Sequence, residues 1–513
     1  MSSLSCLSLS LVLTVALSKT IDQGYLDLFE THNETWEETC WDTGGASIPS
    51  YVNGTFIIPA LGQFEMGGYA FEGLLDPFGK LHRFTFKENG AKMCSHARMM
   101  DTTFYNNSID MGRIAPNLLF TDTKPPSGYS GIQNLGGPQD NLFVNSYKIG
   151  SKFRLKSDTP KVLEFDPMSL RMTKNVTWKD SLDRLVLGLG SAHQLPDPSN
   201  SDCIIDLHPQ MGMMHKEVVV YRVCPQDPYT RQHVNSYDNH YMPYFHSFGL
   251  TKSALVLLHM HFTLNMMAVF QKGGTLATAF QPVDVGKDTA VMVMPLDGSA
   301  AIPFSIPGDI YFTHSINAYS NETATIWDFC AFDENPFLHA TTLSVYRNKT
   351  ARDAADPGLR GIPKRLVMHT SGPLKGQATI AEMGPPTSKI TTDFPSINPR
   401  FASKPYCYFW GNEWYHDGKS YASLAVVKWD LCSGTTAKKS YFYRENAYPS
   451  EPKMIPDASG KEDEGIIIFT LYDGEAGSTS VVLLNAQTLD VVYESKGFGK
   501  IGFTTHGEFY SGL

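Results

Sequence analysis

The chain reads as all-β, and three observations favour a propeller. Short runs rich in β-branched and aromatic residues, from "GTFIIPAL" and "LHRFTF" through "KEVVVYRV" to "GIIIFTLYD", recur between Gly, Pro, Asn and Asp. Sustained helical periodicity is scarce. Several hairpins repeat one design, a β-run, an Asp or Asn, a tight turn and a second β-run: "KVLEFDPMSLRMTKNV", "SVVLLNAQTLDVVYES" and, more loosely, "SLAVVKWDLCSGTTAKKSYFY". Hairpins spread over 513 residues suit small antiparallel sheets closed in a ring. A β-sandwich is the rival, but this length needs two of them, and no linker-like break in composition divides the chain.

Taken in order, the first element is an apolar stretch from Leu4 to Leu17, with small Ala16 and Ser18 placed for cleavage before Lys19. It is too short to span a bilayer and reads as a signal peptide over residues 1–18, which leaves 19–513 as one propeller domain. Six glycosylation sequons follow, at Asn33, Asn53, Asn106, Asn175, Asn321 and Asn348. Together these place the protein outside the cell or in the secretory lumen. Removing Cys6 with the leader leaves seven cysteines, so at least one thiol is free or bound between chains. Cys203 with Cys224 and Cys407 with Cys432 are near enough in sequence to staple hairpins. The loop-like stretch from Thr121 to Asn141 reads as an excursion from the ring. A net charge of −10 and a pI near 5.9, without a Lys/Arg run, exclude nucleic acid as partner.

The last element, "IGFTTHGEFYSGL", holds His506 seven residues from the end, beside Gly507 and among aromatic residues. Termini fray unless something ties them down, and the pattern reads as a buried strand end. In a closing ring the last strand joins the first blade, which brings His506 to the axis. Three more histidines end apolar or aromatic runs in separate regions: His193 in "GSAHQLPDP", His246 in "YMPYFHSFGLT" and His314 in "YFTHSINAY". One per region is what an axial metal site needs. His259 and His261 in "LLHMHFTL" share a strand face but have no acidic or cysteine neighbour, and read as an ordinary strand pair.

In order and approximate spacing, the four segments resemble the four histidine motifs of the carotenoid cleavage oxygenase family. "IPSYVNGTFIIPALGQFEMGGYAFEG", "DFPSIN" and "YPSEP" are similar to segments of its animal branch, which holds carotene oxygenases and the retinoid isomerase of the retinal pigment epithelium. The resemblance implies a seven-bladed propeller with a small helical cap and Fe(2+) on the axis, bound by His193, His246, His314 and His506. Four neutral imidazoles suit iron and leave a coordination position open. It also implies three carboxylates that orient the ligands, which fall at Asp158, Asp393 and Glu451. The family has glutamate at all three, so two are one methylene short here, at an expected cost of about 10 to 100-fold if the bond to histidine is lost.

Other departures bear on the substrate. Ala-His-Pro is "AHQ" here, and the family's membrane-dipping segment matches "DTKPPSGYSGI", which has little apolar content and leaves membrane association in doubt. Phe332, in "WDFCAFDENPF", falls in a stretch that lines the substrate tunnel, where animal relatives have tryptophan. The activity implied is dioxygenase cleavage of a carbon–carbon double bond in a carotenoid or apocarotenoid, with molecular oxygen as co-substrate. The alternatives are a secreted carotenoid or retinoid-binding protein with little turnover, and a retinoid isomerohydrolase.

Overall fold

The computed structural model describes residues 19–182, 189–211, 216–339, 341–354, 359–384, 391–434 and 437–513. The leader assigned to residues 1–18 lies outside the described residues. Seven antiparallel sheets of four or five strands follow one another along the chain, and each is one blade. Blades 2 to 7 run from an innermost strand outwards, with inner strands at Asn145–Ile149, Leu195–Asp197, Gly249–Leu250, Tyr311–Ser320, Thr391–Ser396 and the pair Ala447–Pro449 and Lys453–Pro456. Blade 1 differs: its inner edge is the C-terminal strand Glu508–Ser511, paired with Gly54–Gln63 from Gly54↔Ser511 to Ile57↔Glu508. This pairing closes the ring. All three quoted hairpins are present, for instance Leu163–Phe165 against Met172–Asn175.

Because strands alternate in direction, four long segments leave the blades on one face, the face where the inner strands begin. They follow Gln63, Met99, Leu258 and Phe332 and carry most of the helices, including Thr103–Met111, Gly131–Leu135, Leu343–Tyr346 and Lys349–Ala354. The Thr121–Asn141 stretch belongs to this cap, with a two-residue strand at Thr123–Lys124 and the Gly131–Leu135 helix started by a Ser130 capping box. Among the described residues no helix is long and apolar enough to cross a membrane.

Three disulfides link neighbouring strands or their ends: Cys203–Cys224, Cys407–Cys432, just outside Tyr408–Trp414 and Ala425–Asp430, and Cys40–Cys94. The third joins strands 54 residues apart, because Trp36–Asp42 packs on the outer edge of blade 1 against Lys92–Met99. Cys330 is the buried free thiol. All six sequon asparagines are exposed. His259 and His261 lie beyond the strand Ala254–Leu258, in the segment that climbs into the cap, so they are loop residues rather than a strand pair. Each ring is engaged locally, His259 by the Tyr237 and Tyr241 hydroxyls, His261 by the Thr289 hydroxyl and the Asp284 carbonyl.

Candidate metal centre

Each of the seven blades brings one residue to the top of the axis. His193 and His246 precede the inner strands of blades 3 and 4, His314 lies within that of blade 5, and His506 precedes the closing strand of blade 1. Their ligand atoms all lie within 4.8 Å of one another. Nε2 to Nε2 distances are 3.3 Å for His193 and His246, 3.2 Å for His246 and His314, and 3.1 Å for His314 and His506. Blades 2, 6 and 7 supply carboxylates to the far side of three rings. Nδ1 of His246 lies 2.7 Å from Asp158 Oδ1, Nδ1 of His314 2.7 Å from Asp393 Oδ1, and Nδ1 of His506 3.0 Å from Glu451 Oε1. The two aspartates therefore reach their histidines at least as closely as the glutamate does.

Local backbone irregularity makes that reach available. The pairing of Thr391–Ser396 with its neighbour shifts register between Asp393 and Ser396, and Tyr311–Ser320 shifts on both sides of Ser315, next to His314. Bulges of this kind re-aim side chains at sites. Phe394 carries a left-handed φ of 52°, uncommon for a bulky residue. Its N–H donates to Asp393 Oδ1 at 2.9 Å while its ring packs on His314 and His506 at 5.0 and 5.3 Å. At the terminus, the His506 N–H donates to the Val144 carbonyl and the Phe503 N–H to that of Leu28. Gly507 is required by close approach: a Cβ there would meet the Phe56 ring at 2.5 Å. Its N–H also donates to Glu451 Oε2.

The cluster fits a divalent ion. With the Nδ1 protons of His246, His314 and His506 given to carboxylates, their Nε2 atoms turn lone pairs toward one another and toward Nε2 of His193. Nitrogens held about 2.1 Å from one shared ion, as typical for zinc, stand roughly 3.0–3.4 Å apart along the edges of a tetrahedron or octahedron. The observed edges fall in that interval. Burial, then the neighbouring imidazoles, hold His193 and His506 well below the usual histidine range, so both remain unprotonated as ligands must. Burial alone would raise the Asp158 and Asp393 carboxyls, but His246 and His314 respectively, with their hydrogen bonds, carry both below the ordinary value. For Glu451 burial wins over Lys453, His314 and the Gly507 N–H, and its carboxyl is pushed up to about 7.

Two cavities meet this cluster from opposite sides. On the cap side is an apolar chamber of about 160 Å³ that touches His246, His314 and His506 and is walled by Phe332, Leu359, Phe394, Trp414, Tyr421 and Phe503. It adjoins an outer cavity of about 510 Å³, with Asp158, Tyr244 and Phe337 lining both. The outer cavity carries Ile132 and Phe270 in its wall, 70% and 43% exposed. On the opposite side, a vestibule of about 800 Å³ runs along the axis and touches His193, His314 and His506.

Tyr244 was not legible as a site residue. Its hydroxyl donates to Asp158 Oδ1 at 2.7 Å and lies 3.2 Å from His246 Nδ1. The one available signal was its place two residues before His246, the spacing of a shared strand face. Trp414 and Tyr421 have no signal in a single sequence, because a chamber wall looks like any other core.

Residues 28–511 match the family described as retinal pigment epithelial membrane protein (RPE65). The chain is 22% identical to a carotenoid isomerooxygenase of Galleria mellonella, over 84% of each chain. It is 21% identical to the β,β-carotene 15,15'-dioxygenase of Rattus norvegicus, over 85% of this chain and 83% of the relative. Its fold matches the crystal structure of cobalt-substituted Synechocystis ACO with a TM-score of 0.79 at 18% identity, covering 96% of this chain and 99% of that one. With a seven-bladed ring, four histidines on its axis and a family match over nearly its whole length, the chain belongs to the retinal pigment epithelial membrane protein family.

Proposed function

We propose that this protein is a non-haem Fe(II) dioxygenase that cleaves a carbon–carbon double bond of a carotenoid or apocarotenoid into two carbonyl products. The observation that carries this reading is the convergence of four histidine Nε2 atoms at the wall of an apolar, aromatic chamber. His193, His246, His314 and His506 would hold the iron, and the iron supplies the activation of dioxygen. Asp158, Asp393 and Glu451 accept the Nδ1 protons of three ligands, fix their tautomers and raise their basicity. Phe332, Phe394 and Trp414 exclude water and press a flat polyene against the centre. The reaction balances without a further reductant: the double bond breaks and each carbon takes one oxygen atom of the same dioxygen. Tyr244 and Phe337, where the two cavities adjoin, decide how far the chain slides in and hence which bond is presented.

Two carboxylates too short to reach their histidines would have weakened turnover and favoured a pure carrier. At 2.7 Å both keep the orienting bond, which favours the oxygenase. The apolar wall residues Ile132, which ends the segment "DTKPPSGYSGI", and Phe270 suit a substrate taken from a lipid or micellar surface. Passage through the secretory pathway, with glycans on the sequons, is supported by six exposed sequon asparagines and by the pairing of all cysteines described except Cys330.

The test is anaerobic purification and metal analysis, then addition of β-carotene and shorter apocarotenoids in detergent under air. Stoichiometric iron, bleaching of the polyene and new aldehydes are expected. Polyene that binds iron-loaded protein and stays unbleached would refute the oxygenase and leave a carrier. Unchanged carbon count with altered double-bond geometry or released fatty acid would move the protein to isomerohydrolase chemistry.

A further inference from the structure

The vestibule on the side of the centre away from the cap differs in chemistry from the chamber above. Its wall is built largely by the inner strands of the ring and is mixed, richer in polar groups than the chamber's, with Ser146, Ser247, Ser315 and Asn317 beside apolar residues such as Ile204 and Phe248. It widens toward exposed Ser201, Arg400 and Ser511. One charged pair faces the axis close to the centre. Lys453 stands two residues beyond Glu451 and begins the strand Lys453–Pro456, and Glu508 stands two residues beyond His506 and begins the strand Glu508–Ser511. Lys453 Nζ lies 2.5 Å from Glu508 Oε2. The His506–Glu451 bond is thus followed, two residues further along both segments, by the Glu508–Lys453 ion pair. Both members are partly exposed, at 28% and 33%.

We infer that the divalent ion reaches the four histidines through this vestibule, past the Lys453–Glu508 pair, and not through the chamber that takes the polyene. The inference rests on the reading that the four histidines bind a metal. A hydrated dication crossing the chamber would have to shed water among Leu359, Phe394, Trp414 and Phe503, which replace none of its oxygen ligands, and the two carboxylates in the wall, Asp158 and Asp393, are already bonded to His246 and His314. The vestibule presents hydroxyls, amides and the Glu508 carboxylate. Two separate routes also allow a loaded centre to be kept while the chamber fills and empties. The ion pair sets the local field: left alone, Glu508 attracts the incoming cation and Lys453 repels it.

The experiment uses full-length protein stripped by a chelator without oxygen, with Co²⁺ as the probe. Uptake is followed by stopped-flow visible absorbance, and stoichiometry by equilibrium titration. Lys453→Met exposes the Glu508 charge and should accelerate uptake at low ionic strength. Glu508→Gln leaves the lysine unopposed and should slow it, each by roughly fivefold for a unit charge near a divalent ion in water. Both effects should fade in 0.5 M salt, about half the Debye length of dilute buffer or less. Filling the chamber with an apocarotenoid should leave the rate unchanged. Equal low-salt rates in wild type and both variants, or uptake blocked by the apocarotenoid, would overturn the route while one bound Co²⁺ per chain upholds the metal site. Wild-type protein that takes up no Co²⁺ at all would overturn the metal reading itself.

Discussion

Asp393 offers a way to separate charge from geometry at the centre. Its Oδ1 accepts from His314 Nδ1 at 2.7 Å and from the Phe394 N–H at 2.9 Å, and its Oδ2 accepts from the Thr313 hydroxyl at 3.0 Å. In Asp393→Asn the amide oxygen can keep the first two bonds, and the amide nitrogen can donate to the Thr313 hydroxyl, which then accepts. Geometry is retained and only the charge is lost. A hydrogen bond to a charged group contributes about 1.5–3 kcal/mol and a neutral one about 1 kcal/mol, a difference of about 0.5–2 kcal/mol, so metal affinity should fall roughly twofold to thirtyfold. Asp393→Ala strands three donors in a buried site. Metal affinity should then fall about 10 to 100-fold. At about 1 kcal/mol or more for each unpaired donor, the fold should lose ~3 kcal/mol. An unfolding entropy of about 2.1 cal/mol/K per residue over ~500 residues makes that a drop in Tm of only about 3 °C. The assay is chelator competition for Co²⁺ alongside thermal unfolding of each apoprotein. An Asn variant with wild-type affinity would show that charge contributes nothing, equal losses in Asn and Ala would show that geometry adds nothing to charge, and wild-type affinity in both would refute the orienting role.

Three further outcomes follow from other parts of the molecule. Gly507→Ala drives a Cβ to 2.5 Å from the fully buried Phe56 ring, so it should destabilise by about 1–3 kcal/mol and lower metal occupancy through the adjacent His506; an unchanged Tm and metal content would contradict the close approach. Asp76, buried beneath the Phe120 and Thr121 N–H groups, has its carboxyl pushed up to about 7 by burial. Its folded pKa lies above the unfolded value of about 3.9, so the folded state holds the extra proton and stability falls as pH rises from about 4 to about 7. Wild type should lose ground to Asp76→Asn across that window, and a pH-independent difference between the two would contradict this. Cys330 is fully buried, and burial pushes its thiol well above the usual range. Non-reducing thiol labelling of protein that lacks residues 1–18 should therefore find no reactive thiol in the folded state and one after denaturation; more than one would break the disulfide assignment.

What the sequence by itself determined is local. Alternating β-runs, turn residues and hairpins are written within ten to twenty neighbouring residues, because strand faces and turn geometry are set by adjacent dihedrals. That is why "KVLEFDPMSLRMTKNV" and the stapled hairpins of Cys203–Cys224 and Cys407–Cys432 were legible. The four histidines were legible too, since each sits at the start of, or within, an inner strand with a recognisable flank. The tertiary structure alone decided everything that depends on ring closure. Nε2 of His314 and Nε2 of His506 are 192 residues apart and meet at 3.1 Å only because the last strand enters blade 1. Cys40 pairs with Cys94 because an early strand takes the outer edge of that blade out of chain order. The reach of Asp158 and Asp393 depends on loop position and on a bulge, not on side-chain length. A missing methylene is visible in a sequence, whereas a backbone shift that replaces it is not, because no residue pattern encodes the distance between two blades.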